Sequence, residues 1–323
     1  MTEEPRALRI ATRSSPLAMW QAERVAALLG AHGVDTVLVP MDSLGDRVID
    51  VPLHEVGGQG IFVKEVQAAV VAGDADLAVH SAKDLPSGDA PDGLILVAFP
   101  ERADPRDCLV GLGLDDLPAD GLVATGSVRR RAQLAHIRPG LRFVDLRGNM
   151  ATRLAKLPAG GSLVAAVAGL SRLGLGDRIA EPLDVRVLLP QVGQGALGVE
   201  CRAEDRHVMA LLAAIDDPVV HVAVVAERAF LARLGSGCDL PVAAYAEVDP
   251  ADAPGVLRIE GLIASLDGVT VLRHVELAVL PLDPGAEGAV LNADHDAVLA
   301  VAEQAGRDLA AVLLAAGGAA LLA

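Results

Sequence analysis

Cys238 stands in the run Leu234-Gly235-Ser236-Gly237-Cys238-Asp239-Leu240-Pro241, with glycine just before it and proline shortly after. Such flanks shape a loop rather than a core position. A thiol held there is open to a partner, and an accessible thiolate is a nucleophile that can carry a group covalently. Cys108 and Cys201 lie in apolar, strand-like runs and read as packing residues. Lys83-Asp84 ends another strand-like run. An aspartate in that place is most often a turn or cap residue. It becomes a chemical group where it faces developing positive charge or a proton that must move.

A third set of residues points to an anionic ligand. Between Gly121 and Gly176 stand eight arginines and Lys156 against one acid, Asp145, about +8 in a chain whose net charge is -16. A solvated basic face would also account for this run. Arg129, Arg130, Arg131, Arg138, Arg142, Arg147, Arg153 and Arg172 are guanidinium groups, however, and their forks suit carboxylate or phosphate. Ser127-Val128-Arg129-Arg130-Arg131 opens a helix, where backbone N–H groups and the dipole favour an anion. Three consecutive arginines cannot share one helix face, so Arg131 is assigned to solvent.

These groups need a scaffold, and the pattern supplies one. Leu8 to Thr12 reads as a strand; Ser15 and Pro16 open a helix that Gly30 stops. Val34 to Met41, Asp76 to Val79 and Leu94 to Phe99 read as strands, with a helix over Ile61 to Ala72 ended by Gly73. After a crossover at Pro100 to Pro105 the rhythm repeats: Leu109-Val110, a helix near Ser127, Leu141 to Leu146, a helix after Asn149, and Leu163 to Val167. Val185 to Leu189 and Ala196 to Glu200 are strand-like about a glycine-rich Pro190 to Gly195. Helices are expected over Asp205 to Ile215 and Val219 to Leu234. Alternating strands at Val256 to Ile263 and Val269 to Val279 then precede a terminal helix. The expected fold class is α/β, in two lobes, with a smaller C-terminal α+β domain. The boundaries are 1–99 with 196–216 for the first lobe, 100–195 for the Arg-rich second lobe, and 217–323 for the domain with the cysteine loop. Ligands in such sheets sit at the carboxyl ends of strands. Thr12-Arg13-Ser14-Ser15, His80 to Asp84, Thr125-Gly126-Ser127 and Arg147-Gly148-Asn149 all fall there.

Composition removes several classes. Aromatic residues are 2% of the chain, too few for a base-stacking platform, and the acidic balance repels nucleic acid and anionic membranes. Three cysteines do not make a disulfide framework and fit a reducing, cytoplasmic setting. Eight histidines lack ligand spacing, so no metal is expected. Gly193, Gly195 and Gly198 match a dinucleotide fingerprint, but a strand follows them rather than a helix. The apolar run Leu309 to Ala323 is short for a membrane span and reads as a buried or frayed helix.

Ordered blocks then identify a resemblance. They are Arg9 to Arg13 with Ser15 to Ala18, Gly57-Gly58-Gln59-Gly60 with Phe62 to Glu65, and Ala78 to Asp84. Arg102 to Asp107, Leu146 to Asn149 with Thr152 to Leu154, Ala168 to Leu170, Pro190 to Ala196 and the cysteine loop complete the set. Over nearly its whole length the chain resembles the hydroxymethylbilane synthase (porphobilinogen deaminase) family.

The resemblance implies two lobes like those of periplasmic binding proteins, and a third domain that carries a dipyrromethane cofactor on Cys238. It implies Asp84 as the catalytic carboxylate, with Arg13, Ser15, Lys83, Asp84, Ser127, Arg129, Arg130, Arg147, Arg153 and Arg172 binding cofactor or substrate. The implied activity is stepwise deamination and joining of four porphobilinogen molecules, in heme biosynthesis, by a monomer without nucleic-acid or membrane partners. A non-enzymatic two-lobed anion-binding protein is the alternative. Gln59 stands where relatives often have lysine, and Gly126 where a hydroxyl residue is common. Ser236 and Leu240 also depart from the usual loop. These changes bear on affinity rather than on the reaction.

Overall fold

The structure is a computed structural model that describes residues 6–42, 63–88, 93–235, 240–249, 255–281 and 294–322. The chain divides into two compact units, Met1–Arg102 with Ala196–Asp217, and Ala103–Gly195 with Pro218–Ala323.

The first unit holds a five-stranded sheet. Its strands are β1 (Leu8–Arg13), β2 (Thr36–Met41), β3 (Leu77–Ser81), β4 (Leu94–Ala98) and β10 (Leu197–Arg202), in the order β2-β1-β3-β10-β4. β1, β2 and β3 are parallel, while β10 runs antiparallel to both β3 and β4. Adjacent residues of a strand face opposite sides, and here both sides are apolar. Ile10, Leu77 and Val199 pack against Ala22, Val25 and Leu29 of α1 (Pro16–Ala31) and Val208 and Leu212 of α6 (Arg206–Ala213). Ala11, Ala78 and Leu94 pack against Val66 and Val70 of α2 (Lys64–Val71). Each large side chain so buried contributes about 1.5–3 kcal/mol.

The second unit repeats the plan. Its first sheet takes β5 (Asp107–Gly111), β6 (Leu122–Ala124), β7 (Arg142–Val144), β8 (Ser162–Ala166) and β9 (Glu181–Pro182), in the order β7-β6-β8-β5-β9. Again three strands are parallel, and the fourth in the row, β5, is antiparallel to its neighbours. In each sheet the antiparallel strand is the one that follows a crossover of the chain. Helices α3 (Val128–Ile137), α4 (Met150–Ala155) and α5 (Val167–Arg172) cover it.

The same unit contains an antiparallel sheet of β11 (Val242–Asp249), β12 (Val256–Ala264) and β13 (Val271–Val279). One face buries Ile259 and Ile263 against α7 (Pro218–Arg233) and α8 (His295–Leu313). Part of the other face packs Ala243, Leu262 and Ala264 on Ala132 of α3 and on Leu189. The α/β class with a smaller C-terminal α+β part is thus the fold the chain adopts.

Local expectations differ in a few places. α1 passes Gly30 and ends at Ala31, because the left-handed turn is made by Gly33 at φ 77°. Val185 to Leu189 is a turn, not a strand. Asp184 accepts the backbone N–H of Val187 and Leu188 through its carbonyl and that of Arg186 through its carboxylate. Leu188 and Leu189 are buried in separate clusters, which explains the apolar run without a strand. β6, β9, β11 and α5 went unrecognised in the sequence.

Candidate active site

In the first unit β1 and β3 end side by side, and their carboxyl ends carry two of the sequence motifs. After β1 the chain turns through Ser14 and Ser15 into α1. Ser15 accepts the backbone N–H of Ala18 at 3.4 Å, the expected N-cap. After β3 a single tight turn, Ala82–Asp84, presents the aspartate. The result is a small cleft, partly open to solvent, lined by Arg13, Ser15, Leu17, Gln21, Val63, His80, Ser81 and Asp84 among others. Three expected site residues, Arg13, Ser15 and Asp84, therefore share one wall system. Lys83 is half-buried in the same turn but does not line the cleft.

The turn bearing Asp84 is pinned from beneath. The amide of Ala82 donates to the carbonyl of Ala196 at 3.0 Å, and that of Leu85 to the carbonyl of Ala82 at 3.3 Å. Gln21, 3% exposed, donates from Nε2 to Ser81 Oγ at 2.8 Å. One residue earlier, His80 Nε2 lies 2.8 Å from Oε1 of the buried Glu200, whose Oε2 accepts Gln67 Nε2 at 3.1 Å. Gln21, Gln67 and Glu200 were missed in the sequence. Their signal is a polar residue on an otherwise apolar face, and an interior polar side chain requires a partner.

The second unit has a cleft of its own, lined by Ser127, Arg129, Gln191, Val192, Leu231, Leu240 and Val242. Ser127 caps α3 by accepting the N–H of Arg130 at 3.4 Å. Leu231 and Leu240 bracket the chain on either side of Cys238. Cys238 itself lies outside the described residues, as do Gln59, its neighbours Gly57, Gly58, Gly60 and Phe62, and Ser236.

Arg129 and Arg130 are 3% and 7% exposed, and both meet the fully buried Asp107. Arg129 Nη2 donates to Oδ2 at 2.8 Å and Arg130 Nη2 to Oδ1 at 2.6 Å. Burial pushes the Asp107 pKa up, but the two guanidinium charges, with hydrogen bonds from Arg130 and Gln194, outweigh it and hold the carboxyl far below the usual range. Arg131 is exposed, as assigned, with its guanidinium 5.7 Å from the centre of the Phe143 ring.

Arg147 and Arg153 flank one turn. Gly148 there has φ 107°, Asn149 caps α4, and Arg153 Nε donates to the Gly148 carbonyl at 2.7 Å. Arg172, at the end of α5, donates to the carbonyl of Gly195 at 2.8 Å. None of these three lines either cleft. No helix opens at Gly193 to Gly198; β10 follows, so the dinucleotide spacing has no structural basis.

Comparisons with known proteins bear on the whole chain. Residues 8–210 match the family model for the porphobilinogen deaminase dipyrromethane cofactor binding domain, and residues 221–314 match that for the porphobilinogen deaminase C-terminal domain. The porphobilinogen deaminase of Syntrophotalea carbinolica is 46% identical over 324 residues, which cover 98% of this chain and 95% of that protein. Among solved structures, the methionine-binding protein MetQ is similar at 13% identity and TM-score 0.42, covering 68% of this chain and 93% of that one. The VFT2 domain of Bordetella pertussis BvgS is similar at 16% identity and TM-score 0.38, covering 67% and 88%. On the two family models and the long relative, this chain belongs to the porphobilinogen deaminase family.

Proposed function

We propose that Asp84 is the catalytic carboxylate of this enzyme, that Arg13 and Ser15 hold a substrate carboxylate beside it, and that Cys238 carries the cofactor. The activity is that of a transferase, hydroxymethylbilane synthase, which deaminates porphobilinogen and joins four units into a linear tetrapyrrole. The family match leaves the non-enzymatic anion-binding alternative without support. The observation that carries the residue assignment is the first cleft, where a carboxylate, a guanidinium and a helix N-terminus face one space.

The residues present suit a dipyrromethane. Its acidic side arms need cationic and hydroxyl donors and its rings need apolar walls. Ser127 and Arg129 supply the donors, Val192, Leu231, Leu240 and Val242 the walls. Bound there, the group supplies a primer with a free pyrrole α-carbon.

The chain's own residues do the rest. Asp84 accepts a hydrogen bond from the porphobilinogen N–H and stabilises the positive charge that grows as the aminomethyl C–N bond breaks. The aminomethyl nitrogen leaves as ammonia from its protonated form, and Asp84 then takes the proton that the attacking α-carbon loses once the new C–C bond has formed. In balance, one C–N bond breaks, one C–C bond forms, and ammonia leaves. Arg147, Arg153 and Arg172 are assigned to further acetate and propionate groups as the product grows, and Lys83 and Arg130 to the same carboxylates. A cytoplasmic, monomeric protein without nucleic-acid partners fits the net charge of -16. Among the described residues one helix, His295–Leu322, is long and apolar enough to cross a membrane by composition, but it packs Val298, Ala302, Leu309 and Leu313 into the core against α7 and the third sheet.

Asp84→Asn tests the assignment. It keeps the two-pyrrole cofactor and loses turnover by about a hundredfold or more, read as ammonia release from porphobilinogen. Normal turnover in that variant contradicts the mechanism.

A further inference from the structure

We propose that Asp107 is a positioning residue for anion recognition at the start of α3. It gathers the forks of Arg129 and Arg130 onto one point. This rests on the reading above, in which Ser127, Arg129 and Arg130 take carboxylates.

Consecutive residues on an α-helix point about 100° apart, so the two guanidinium groups should diverge. They converge instead. Asp107 begins β5, directly after the first crossover, and its carboxylate is fully buried beneath α3. Its Oδ2 takes Arg129 Nη2 at 2.8 Å; its Oδ1 takes Arg130 Nη2 at 2.6 Å and Nε at 3.1 Å. Second anchors fix each fork, since Arg129 Nη1 donates to the Leu189 carbonyl at 2.7 Å and Arg130 Nη1 to the Val164 carbonyl at 3.2 Å. A neutral clamp completes the cluster. Gln194, fully buried in the glycine-rich connection, donates from Nε2 to Asp107 Oδ1 at 2.9 Å and to the Pro105 carbonyl at 2.7 Å. Asp107 is therefore tied to both crossover segments of this unit.

Of the two forks, Arg129 lines the cleft that Ser127 also lines, so the alignment that Asp107 sets is carried to the wall of that cleft. Asp107 keeps its own charge across the working pH range, because the arginines hold its pKa far below the ordinary carboxylate value. A carboxylate that lost its proton-free form near neutrality would release both forks; this one does not.

The test uses the full-length protein. Purified apoprotein is titrated with porphobilinogen, the fraction carrying the two-pyrrole increment is read by intact mass, and KM and kcat are then measured. Asp107→Asn should raise both the half-priming concentration and KM about tenfold with a smaller change in kcat, as expected when binding groups lose their alignment. Asp107→Glu keeps the charge and shifts the carboxylate by one methylene; it should fold normally and show an intermediate rise of about threefold. A purely structural role would lower the melting temperature and leave both concentrations alone. Asp107→Glu within about twofold of the parent on both readouts overturns the proposal, whether or not Asp107→Asn accumulates as folded protein. A parent protein that neither gains the increment nor releases ammonia refutes the reading of the activity itself, and this proposal falls with it.

Discussion

Replacing Glu227 by alanine removes a carboxylate from the middle of the second unit. Glu227 is fully buried on α7. Its Oε2 accepts the amide of Gly193 at 2.7 Å and its Oε1 the amide of Ala246 at 2.8 Å, so one side chain joins the glycine-rich connection to β11. Truncation leaves two backbone donors without an acceptor in a place water does not reach. Each orphaned donor costs about 1–3 kcal/mol, so Glu227→Ala should destabilise this unit by about 2–6 kcal/mol, against a typical domain stability of about 5–15 kcal/mol. Glu227→Gln keeps one acceptor oxygen and turns an N–H toward the other amide, for roughly half the loss. Urea unfolding gives the first readout, and hydrogen exchange gives a local one, because the amides of Gly193 and Ala246 should lose protection before those of α8. A change below about 0.5 kcal/mol with both amides still protected would show that the connection is not held by this group.

Acid should loosen the first unit through Asp76. Its carboxylate takes Arg6 Nη2 at 2.7 Å, Arg9 Nη2 at 2.9 Å and the Arg9 amide at 2.8 Å. Burial opposes ionisation, but the Arg9 hydrogen bonds and charge outweigh it, so the folded pKa lies below the ordinary value. A depressed carboxylate stabilises above its unfolded pKa of about 4 and loses that contribution as pH falls through the folded value. The urea midpoint should fall below about pH 4, and Asp76→Asn should start lower at neutral pH and fall less. Thiol chemistry should separate the cysteines. Burial pushes Cys108 up to about 12 and Cys201 up to about 11, with the nearby Asp107 and Asp205 carboxylates adding to it. Neither should alkylate in the native protein at pH 8, and both should do so once it is unfolded, as mapped by peptide mass.

The sequence was most legible where local chemistry decides the outcome. Ser15 with Pro16, Ser127 and Asn149 are helix caps whose side chains do what their types require. The α/β rhythm followed from short apolar runs between glycines, and the sites at strand ends followed from that rhythm. Long-range pairing was not legible. Asp107 stands outside the expected strand Leu109-Val110 and carries no local signal of a partner, and only the fold brings Arg129, Arg130 and Gln194 onto it, 22, 23 and 87 residues away. Basic residues grouped as ligand-facing therefore divide between an internal carboxylate, backbone carbonyls and the clefts, a division that charge counting does not make. Val185 to Leu189 misled because burial in two cores yields the same apolar run as a strand.

The central claim, a pyrrole primer bound through sulfur at Cys238, is tested most directly by the intact mass of the purified protein. The parent should be heavier than its sequence by two linked pyrrole units, and Cys238→Ser should show the bare sequence mass. An active preparation with no added mass, or an increment that persists in Cys238→Ser, would contradict it.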